Sequence, residues 1–353
     1  MPKNALYLIF ILQFFLCSSW NWIAAQEMDR STKISCELYR NFEPTKKTCI
    51  NMDSTIFTYN KQGYKMSAIT YSGEKKVQAI IQTNYTYNIR NLITHESYVK
   101  WDMEKNKLSN TPFKQAKYVY NEADSLTTIL YESYAVNTWN KVAKWEFTYN
   151  ENKQKTEEVE FSWDAEKNSW SNVGCQKTNF QYANNRSIKK INYQWNYELS
   201  QFNMVSKNEY TYTLKGKLET STNLVWTAKK NWEPNSKDSL IYDSNNLLIT
   251  QIGFTVNNTK PNYWEKVYKN SLIYDKEFRL IQNIQTFWNE QNQTFSIDLN
   301  AHELSYNYSN YGLLNAVFEK QFDISSKQFV TFSETLFIVQ PIKIIPKNNK
   351  QRS

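Results

Sequence analysis

The sequence predicts an all-β protein: an antiparallel meander of about nine two-stranded repeats of roughly 31 residues, coiled into a curved, spiral or barrel-like sheet. Three observations carry this expectation. A tyrosine recurs at Tyr59, Tyr87, Tyr120, Tyr149, Tyr182, Tyr212, Tyr242, Tyr274 and Tyr308, at intervals of 28 to 34 residues. Apolar and polar residues alternate between these tyrosines, as in Leu218, Thr220, Thr222, Leu224, Trp226 and again in Leu248, Thr250, Ile252, Phe254, Val256. Period two over that length means half-buried strands. The composition agrees, with 25 Tyr, 19 Phe and 12 Trp against 6 Gly and 7 Pro, because aromatic and β-branched side chains suit a pleated surface better than a helix.

In chain order, residues 1–25 read as a secretory signal peptide. Lys3 precedes the apolar run Leu6 to Cys17, and Ile23-Ala24-Ala25 offers a small residue for cleavage. That run is too short to span a bilayer as a helix. The expected setting is therefore secreted, extracellular or at the cell surface. Residues 26–56 precede the repeat and read as an N-terminal cap. In an oxidising compartment Cys36 and Cys49 are the natural disulfide within it, contributing on the order of 3 kcal/mol. The repeat domain covers 57–340, and 341–353 form a basic flexible tail. Of the formal charge of +8, one unit belongs to Lys3 and four to Lys343, Lys347, Lys350 and Arg352, which leaves about +3 for the body. Interspersed charge of that size does not mark a nucleic-acid face. Peripheral contact with anionic lipid or glycan falls to the tail alone.

Inside each unit two turns are legible. Four residues after the tyrosine stand Gly63, Asn91, Asp124, Gly216, Asn246 and Gly312 in six of nine units, residue types that tolerate a left-handed backbone. Fourteen residues after it comes an aromatic, as at Trp101, Tyr134, Trp163, Trp226, Trp288 and Phe322. A second bulky residue follows five to seven positions later, as at Trp139, Trp170, Trp232, Phe295 and Phe329. Two bulky residues flanking a short polar loop predict a cross-strand pair closing a hairpin. Nine such units give about eighteen strands, a number at which a twisted sheet curls or closes. The Trp, Tyr and Leu positions are expected to share the inward face.

Tyr242-Asp243-Ser244-Asn245-Asn246-Leu247-Leu248, Tyr274-Asp275-Lys276-Glu277-Phe278-Arg279-Leu280 and Tyr212-Thr213-Leu214-Lys215-Gly216-Lys217-Leu218 resemble the Tyr-Asp repeats, also called YD or RHS repeats, of extracellular and secreted proteins. There the motif runs Tyr-Asp, two residues, Gly, one residue, Leu. The resemblance implies a coiling antiparallel sheet, extracellular placement and no catalytic residues within the repeat itself.

Chemistry is sparse by comparison. The two histidines, His95 and His302, stand far apart in sequence, and each is followed by a glutamate, Glu96 and Glu303, as a candidate acid/base partner. Glycine-rich phosphate loops, Cys-x-x-Cys and Gly-x-Ser-x-Gly are absent, so the reading is non-enzymatic, with no metal site and no cofactor. Cys175 reads as a small buried apolar residue. The function that remains is presentation of an extended β surface to a protein or glycan partner. Aromatics of opposite parity or near turns, Trp145, Tyr197, Tyr263 and Trp264, are the candidate contacts. Two other readings stand beside this one: an outer-membrane β-barrel, suggested by strands with aromatic ends, and a carbohydrate-active enzyme. Five Asn-x-Ser/Thr acceptors, at Asn84, Asn185, Asn257, Asn292 and Asn307, are open to glycosylation if the host modifies them.

Overall fold

The computed structural model describes residues 32–43, 48–73, 78–102, 104–257, 263–297, 300–310 and 312–341. The signal peptide and the basic tail lie outside them, apart from Pro341 at the end of the last strand. The strands are β1 (Thr32–Glu43), β2 (Thr48–Tyr59), β3 (Lys65–Gly73), β4 (Gln78–Tyr87), β5 (Ile93–Asp102), β6 (Lys107–Leu108), β7 (Lys114–Tyr120), β8 (Leu126–Ala135), β9 (Thr138–Tyr149), β10 (Lys155–Asp164), β11 (Ser169–Ser171) and β12 (Gln176–Ala183). They continue as β13 (Arg186–Asn196), β14 (Gln201–Tyr212), β15 (Leu218–Trp226), β16 (Trp232–Tyr242), β17 (Leu248–Val256), β18 (Trp264–Tyr274), β19 (Leu280–Asn289), β20 (Thr294–Ser296), β21 (His302–Tyr308), β22 (Leu314–Asp323) and β23 (Gln328–Pro341).

All 23 strands belong to one sheet, and every pairing in it is antiparallel, mostly between neighbours in sequence. Three of them are fragments. The short β6, β11 and β20 pair with β5, β10 and β19, and β7, β12 and β21 then take up the same partners further along. Twenty strands therefore go round the circumference, and β23 pairs antiparallel with β1 from Pro341 opposite Thr32 to Ser333 opposite Asn41. The meander closes into a barrel. Closure removes the free edges that an open sheet of this size would expose.

The expectation for residues 26–56 is corrected here. β1 and most of β2 come from this segment and supply the two strands beyond the predicted eighteen, so it forms the wall at the seam. The Cys36–Cys49 disulfide is corrected with it. Strand register sets Cys36 opposite Ile56, while Cys49 lies opposite Phe42, seven residues further along β2. That is roughly 23 Å of extended chain, far beyond disulfide reach, and Cys36 is a free thiol.

The recurring tyrosine has one role in all nine units. Each hydroxyl donates a hydrogen bond of 2.7–2.9 Å to a backbone carbonyl one unit back, from Tyr59 to Ile34, Tyr87 to Lys65 and Tyr120 to Ile93 through to Tyr308 and Leu280. The residue after the tyrosine holds the turn. Asn60, Asn88, Asn121, Asn150, Thr213, Asp243, Asp275 and Ser309 each accept the N–H four residues on. A left-handed residue completes it, at the predicted Gly63, Asn91, Asp124, Gly216, Asn246 and Gly312 and also at Lys153 and Phe278. Those last two carry a β-carbon into a conformation that costs roughly 1–2 kcal/mol, so register and side-chain capping override residue preference there.

Every such turn ends in a bulge, and the bulge changes the parity. In β10, Lys155 and Glu158 form an ion pair and Lys155 lies over Phe147 and Phe180, whereas Glu157 pairs with Lys177. Lys155 and Glu158 share a face although their numbers differ in parity. The recurring tyrosines therefore lie on one face and the hairpin-closing tryptophan pairs on the other. The expectation that Trp, Tyr and Leu share a face is corrected by this extra residue.

Two outcomes are expected. Tyr242→Phe should lower stability by about 1 kcal/mol in urea unfolding. All nine of these tyrosines titrate above the ordinary phenol range because of burial, Tyr59 at about 12. The folded state thus holds its phenolic protons more tightly than the unfolded one. Stability should be full below pH about 10 and fall as pH rises toward 12; tyrosinate absorbance and loss of β circular dichroism should move together, and early tyrosinate signal with an intact sheet would contradict the ladder. Separately, deleting residues 212–241 joins Thr211 to Tyr242 and removes an even number of strands, so β23 still meets β1 antiparallel. The shortened chain should fold as a β protein by circular dichroism.

Candidate functional site

The rim opposite the tyrosine turns is built from the hairpin pairs. Tyr134/Trp139, Trp163/Trp170, Trp195/Phe202, Trp226/Trp232, Trp288/Phe295 and Phe322/Phe329 meet edge to face at centroid distances of 5.0–5.5 Å, the arrangement the ring quadrupoles favour. In three of them a lysine from the neighbouring strand covers a ring: Lys141 on Trp163 at 4.2 Å, Lys207 on Trp232 at 5.0 Å and Lys266 on Trp288 at 4.3 Å. The carboxylates beside the pairs cap the turns. Asp164 accepts the N–H groups of Glu166 and Lys167, and hydrogen bonds from Ser326 and Ser325 hold Asp323 down to about 2.

The four predicted contact residues are spread out. Trp145 is half-buried and registers between Ile129 and Glu160. Tyr197 is 66% exposed in the β13–β14 turn, and Tyr263 is 55% exposed at the entry to β18. Trp264 faces Val256 across a hairpin and takes the packing place that a second aromatic takes elsewhere. Tyr197 and Tyr263 share a rim, about 19 Å apart across four strand spacings. Of the acceptor asparagines, Asn185 and Asn292 lie exposed in turns and Asn307 is exposed on β21, whereas Asn84 is half-buried within β4 and Asn257 donates to Glu265.

The titratable groups form closed sets. His95 Nε2 is 2.8 Å from Gln115 Oε1, Gln115 donates to Glu132, and Glu132 pairs with Lys117. Adjacent strand residues point to opposite faces, so His302 and Glu303 separate: His302 packs against Phe332 and burial lowers its pKa, while Glu303 meets Lys320 at 2.6 Å. Burial alone would raise Glu303, but hydrogen bonds from Lys320 and Ser305 hold it below the usual carboxylate range. Lys320 Nζ also lies 2.8 Å from Ser305 Oγ. Lys320 donates to both partners, which makes it a clamp on Ser305 and not a base for it. Cys175 is 3% exposed and its thiol is pushed up by burial. It sits where the interrupted strand resumes, as Ala301 does in a later unit, and each carbonyl accepts the N–H of a hairpin aromatic, Trp195 and Phe322. Among the described residues no group of His, Cys, Asp and Glu has metal-binding geometry.

Shallow grooves mark the wall among the described residues. One, between β19, β21, β22 and β23, is lined by Gln282, Glu303, Ser305, Asn307, Phe318 and Lys320 among others. Another lies between the turns of Tyr212 and Tyr242, beside Lys215, Glu219 and Asp243. Sequence reasoning flagged Glu303 and Asn307 singly, and nothing in the sequence joined them to Lys320 and Phe318. Elsewhere a third cluster closes on itself. Tyr268 donates to Asp238 at 2.6 Å and Gln251 donates to Tyr268, with burial raising both Asp238 and Tyr268.

Neither a protein-family model nor a curated protein sequence matches the chain. Solved structures give distant likenesses. One is a TcdB2-TccC3-Cdc42 structure, 11% identical with a TM-score of 0.36 over 80% of this chain, which spans only 19% of that one. Another is a porin-like protein from Bacteroides uniformis, 7% identical with a TM-score of 0.34, covering 87% of this chain and 96% of that one. A third is a DUF3836 family protein from Bacteroides vulgatus, 19% identical with a TM-score of 0.22, covering 26% of this chain and 90% of that one.

Gly253 supplies the check on the Tyr268 cluster. A β-carbon there would stand 2.1 Å from Tyr268 Cε1 and 2.5 Å from its Cζ, because the ring lies across the glycine. Gly253→Ala should displace the ring from Asp238 and cost about 2 kcal/mol. Combined with Tyr268→Ala it should cost little more than Tyr268→Ala alone, so a thermodynamic cycle showing simple additivity would refute the contact.

Proposed function

We propose that the chain is a secreted or cell-surface, non-enzymatic repeat protein whose closed β wall presents a surface for binding or adhesion, with a protein or glycan as partner. The observation that carries this reading is that both faces of the wall bear charge in mid-strand. On the face of the tryptophan pairs lie Lys117 with Glu132, Lys177 with Glu157, Lys207 with Glu209 and Lys320 with Glu303. On the tyrosine face the carboxyl groups of Glu96 with Tyr98 and Asp238 with Tyr268 lie in mid-strand, and Glu158 with Lys155 lies nearer the turn. Water can solvate such a wall from both sides. The titratable clusters are used up in holding strands together, which supports a binding role over a catalytic one, and the apolar run at the N-terminus supports export.

An even-numbered closed barrel with aromatic ends is also the plan of an outer-membrane barrel. That plan needs one face to carry an uninterrupted apolar band about 25 Å tall, and a charge on it costs roughly 2–4 kcal/mol at the bilayer midplane. Ion pairs on the tryptophan face and carboxyl groups on the tyrosine face weigh against lipid contact whichever face is outward. Purified chain from residue 26 onward should stay monodisperse in detergent-free buffer by light scattering; dependence on detergent would overturn the aqueous reading. Affinity capture with the same material should retain a cell-surface protein or glycan, and Tyr197→Ala with Tyr263→Ala tests whether the exposed rim makes that contact.

A further inference from the structure

We infer that the groove formed by Gln282, Glu303, Ser305, Asn307, Phe318 and Lys320 is a binding site for an uncharged saccharide unit. The inference rests on the binding role proposed above and names a ligand class and a place for it. The groove is shallow and open to solvent along the wall between β19 and β23. Its charges cancel at source: Glu303, only 6% exposed, is bound by Lys320 at 2.6 Å, so neither a phosphate nor a free cation meets an uncompensated partner there. This ion pair is also anchored, since Lys320 and Glu303 both hydrogen-bond Ser305. With Glu303 buried and Lys320 partly exposed, the fixed pair presents oriented polar groups that a mobile surface pair does not.

The remaining lining is neutral and of two kinds. The Asn307 amide, exposed on β21, carries donor and acceptor together, which matches vicinal hydroxyls, while Ser305 and Gln282 both hydrogen-bond Glu303 and hold it in place. Phe318, in register between Ser305 and Glu334 on that face, offers a ring on which the C–H side of a sugar can stack. Lys117 and Glu132 make a similar ion pair on β7 and β8, where Gln115 donates to the carboxylate and is itself engaged by His95.

Saturation-transfer NMR and calorimetry on the folded chain from residue 26 onward, with neutral gluco-, galacto- and manno-oligosaccharides and heparin as an anionic control, test the assignment. At least one neutral oligosaccharide should bind and heparin should not compete for it. Phe318→Ala should weaken binding about tenfold, the loss expected for one stacked ring, and Asn307→Ala should weaken it further, while Val136→Ala in a distant exposed turn leaves it unchanged; Tyr197→Ala with Tyr263→Ala serves as the rim variant for comparison. Circular dichroism of the Phe318 variant confirms that the barrel is intact. Saccharide binding that survives Phe318→Ala and is lost in the rim variant overturns this site and leaves the binding role standing. Absence of any neutral-saccharide binding alongside capture of a protein partner likewise overturns the site alone. Absence of both overturns the site and the binding role together.

Discussion

The hydrogen bond from each recurring tyrosine to a carbonyl one unit back is the interaction on which the barrel depends. Among the described residues only nine apolar ones are buried, and Tyr306 is the largest of them. A wall one sheet thick has no conventional core to fix the position of one hairpin on the next. The backbone ladder alone does not fix it either, because a strand can slip by two residues and keep its hydrogen bonds. A phenol that must reach one particular carbonyl removes that freedom. It does so nine times in succession around the circumference, and the first of the nine, from Tyr59 to Ile34, reaches the strand that closes the barrel.

The bulge that accompanies each of these turns has a second effect. Shifting the parity by one residue sends the tyrosines and the tryptophan pairs to opposite faces, so both faces receive aromatic packing at one end and polar residues toward the middle. A sheet with one greasy face would have had to bury it in a core, in a lipid bilayer or against another layer. Here neither face is greasy. The wall is stabilised along its two rims by rings and along its middle by ion pairs and amide hydrogen bonds such as Asn192 to Ser206 and Asn270 to Gln251. Arg186 over Tyr212 and Arg279 over Tyr308 add cross-turn contacts at the tyrosine rim. The Arg186 guanidinium fills the space where a β-carbon on Gly216 would stand, so that glycine serves both the left-handed turn and the approach of its neighbour.

How much of this was legible follows from the range over which each feature acts. The hairpins were legible because their signals are local: a turn residue, a capping asparagine, two bulky residues a fixed distance apart. Closure was not, because it depends on β1 meeting β23 some three hundred residues later, and the segment before Tyr59 carries none of the repeat's signature. The shared face assigned to Trp and Tyr failed for a reason of the same kind. A bulge is one uncounted residue, and it inverts every side chain beyond it. Cys36 and Cys49 looked paired because they were near in sequence; extended on partner strands, they are held apart by register.

The repeat also explains why the candidate site was hard to see. Positions that the repeat fixes, the ring at the turn and the pair at the hairpin, recur because packing demands them, and a residue demanded by packing at every unit is poorly placed to recognise anything in particular. The mid-strand positions are bound only by the need to satisfy polar groups, and they differ from unit to unit: His95, Gln115, Glu132 and Lys117 in one stretch, Asp238, Tyr268 and Gly253 in another, Glu303, Ser305 and Lys320 in a third. Each set spans neighbouring strands, so its cross-strand contacts join residues 15 to 30 apart that share no motif. Specificity in such a molecule has to come from these variable middles, and the last of the three sets opens onto a groove with an aromatic ring beside it.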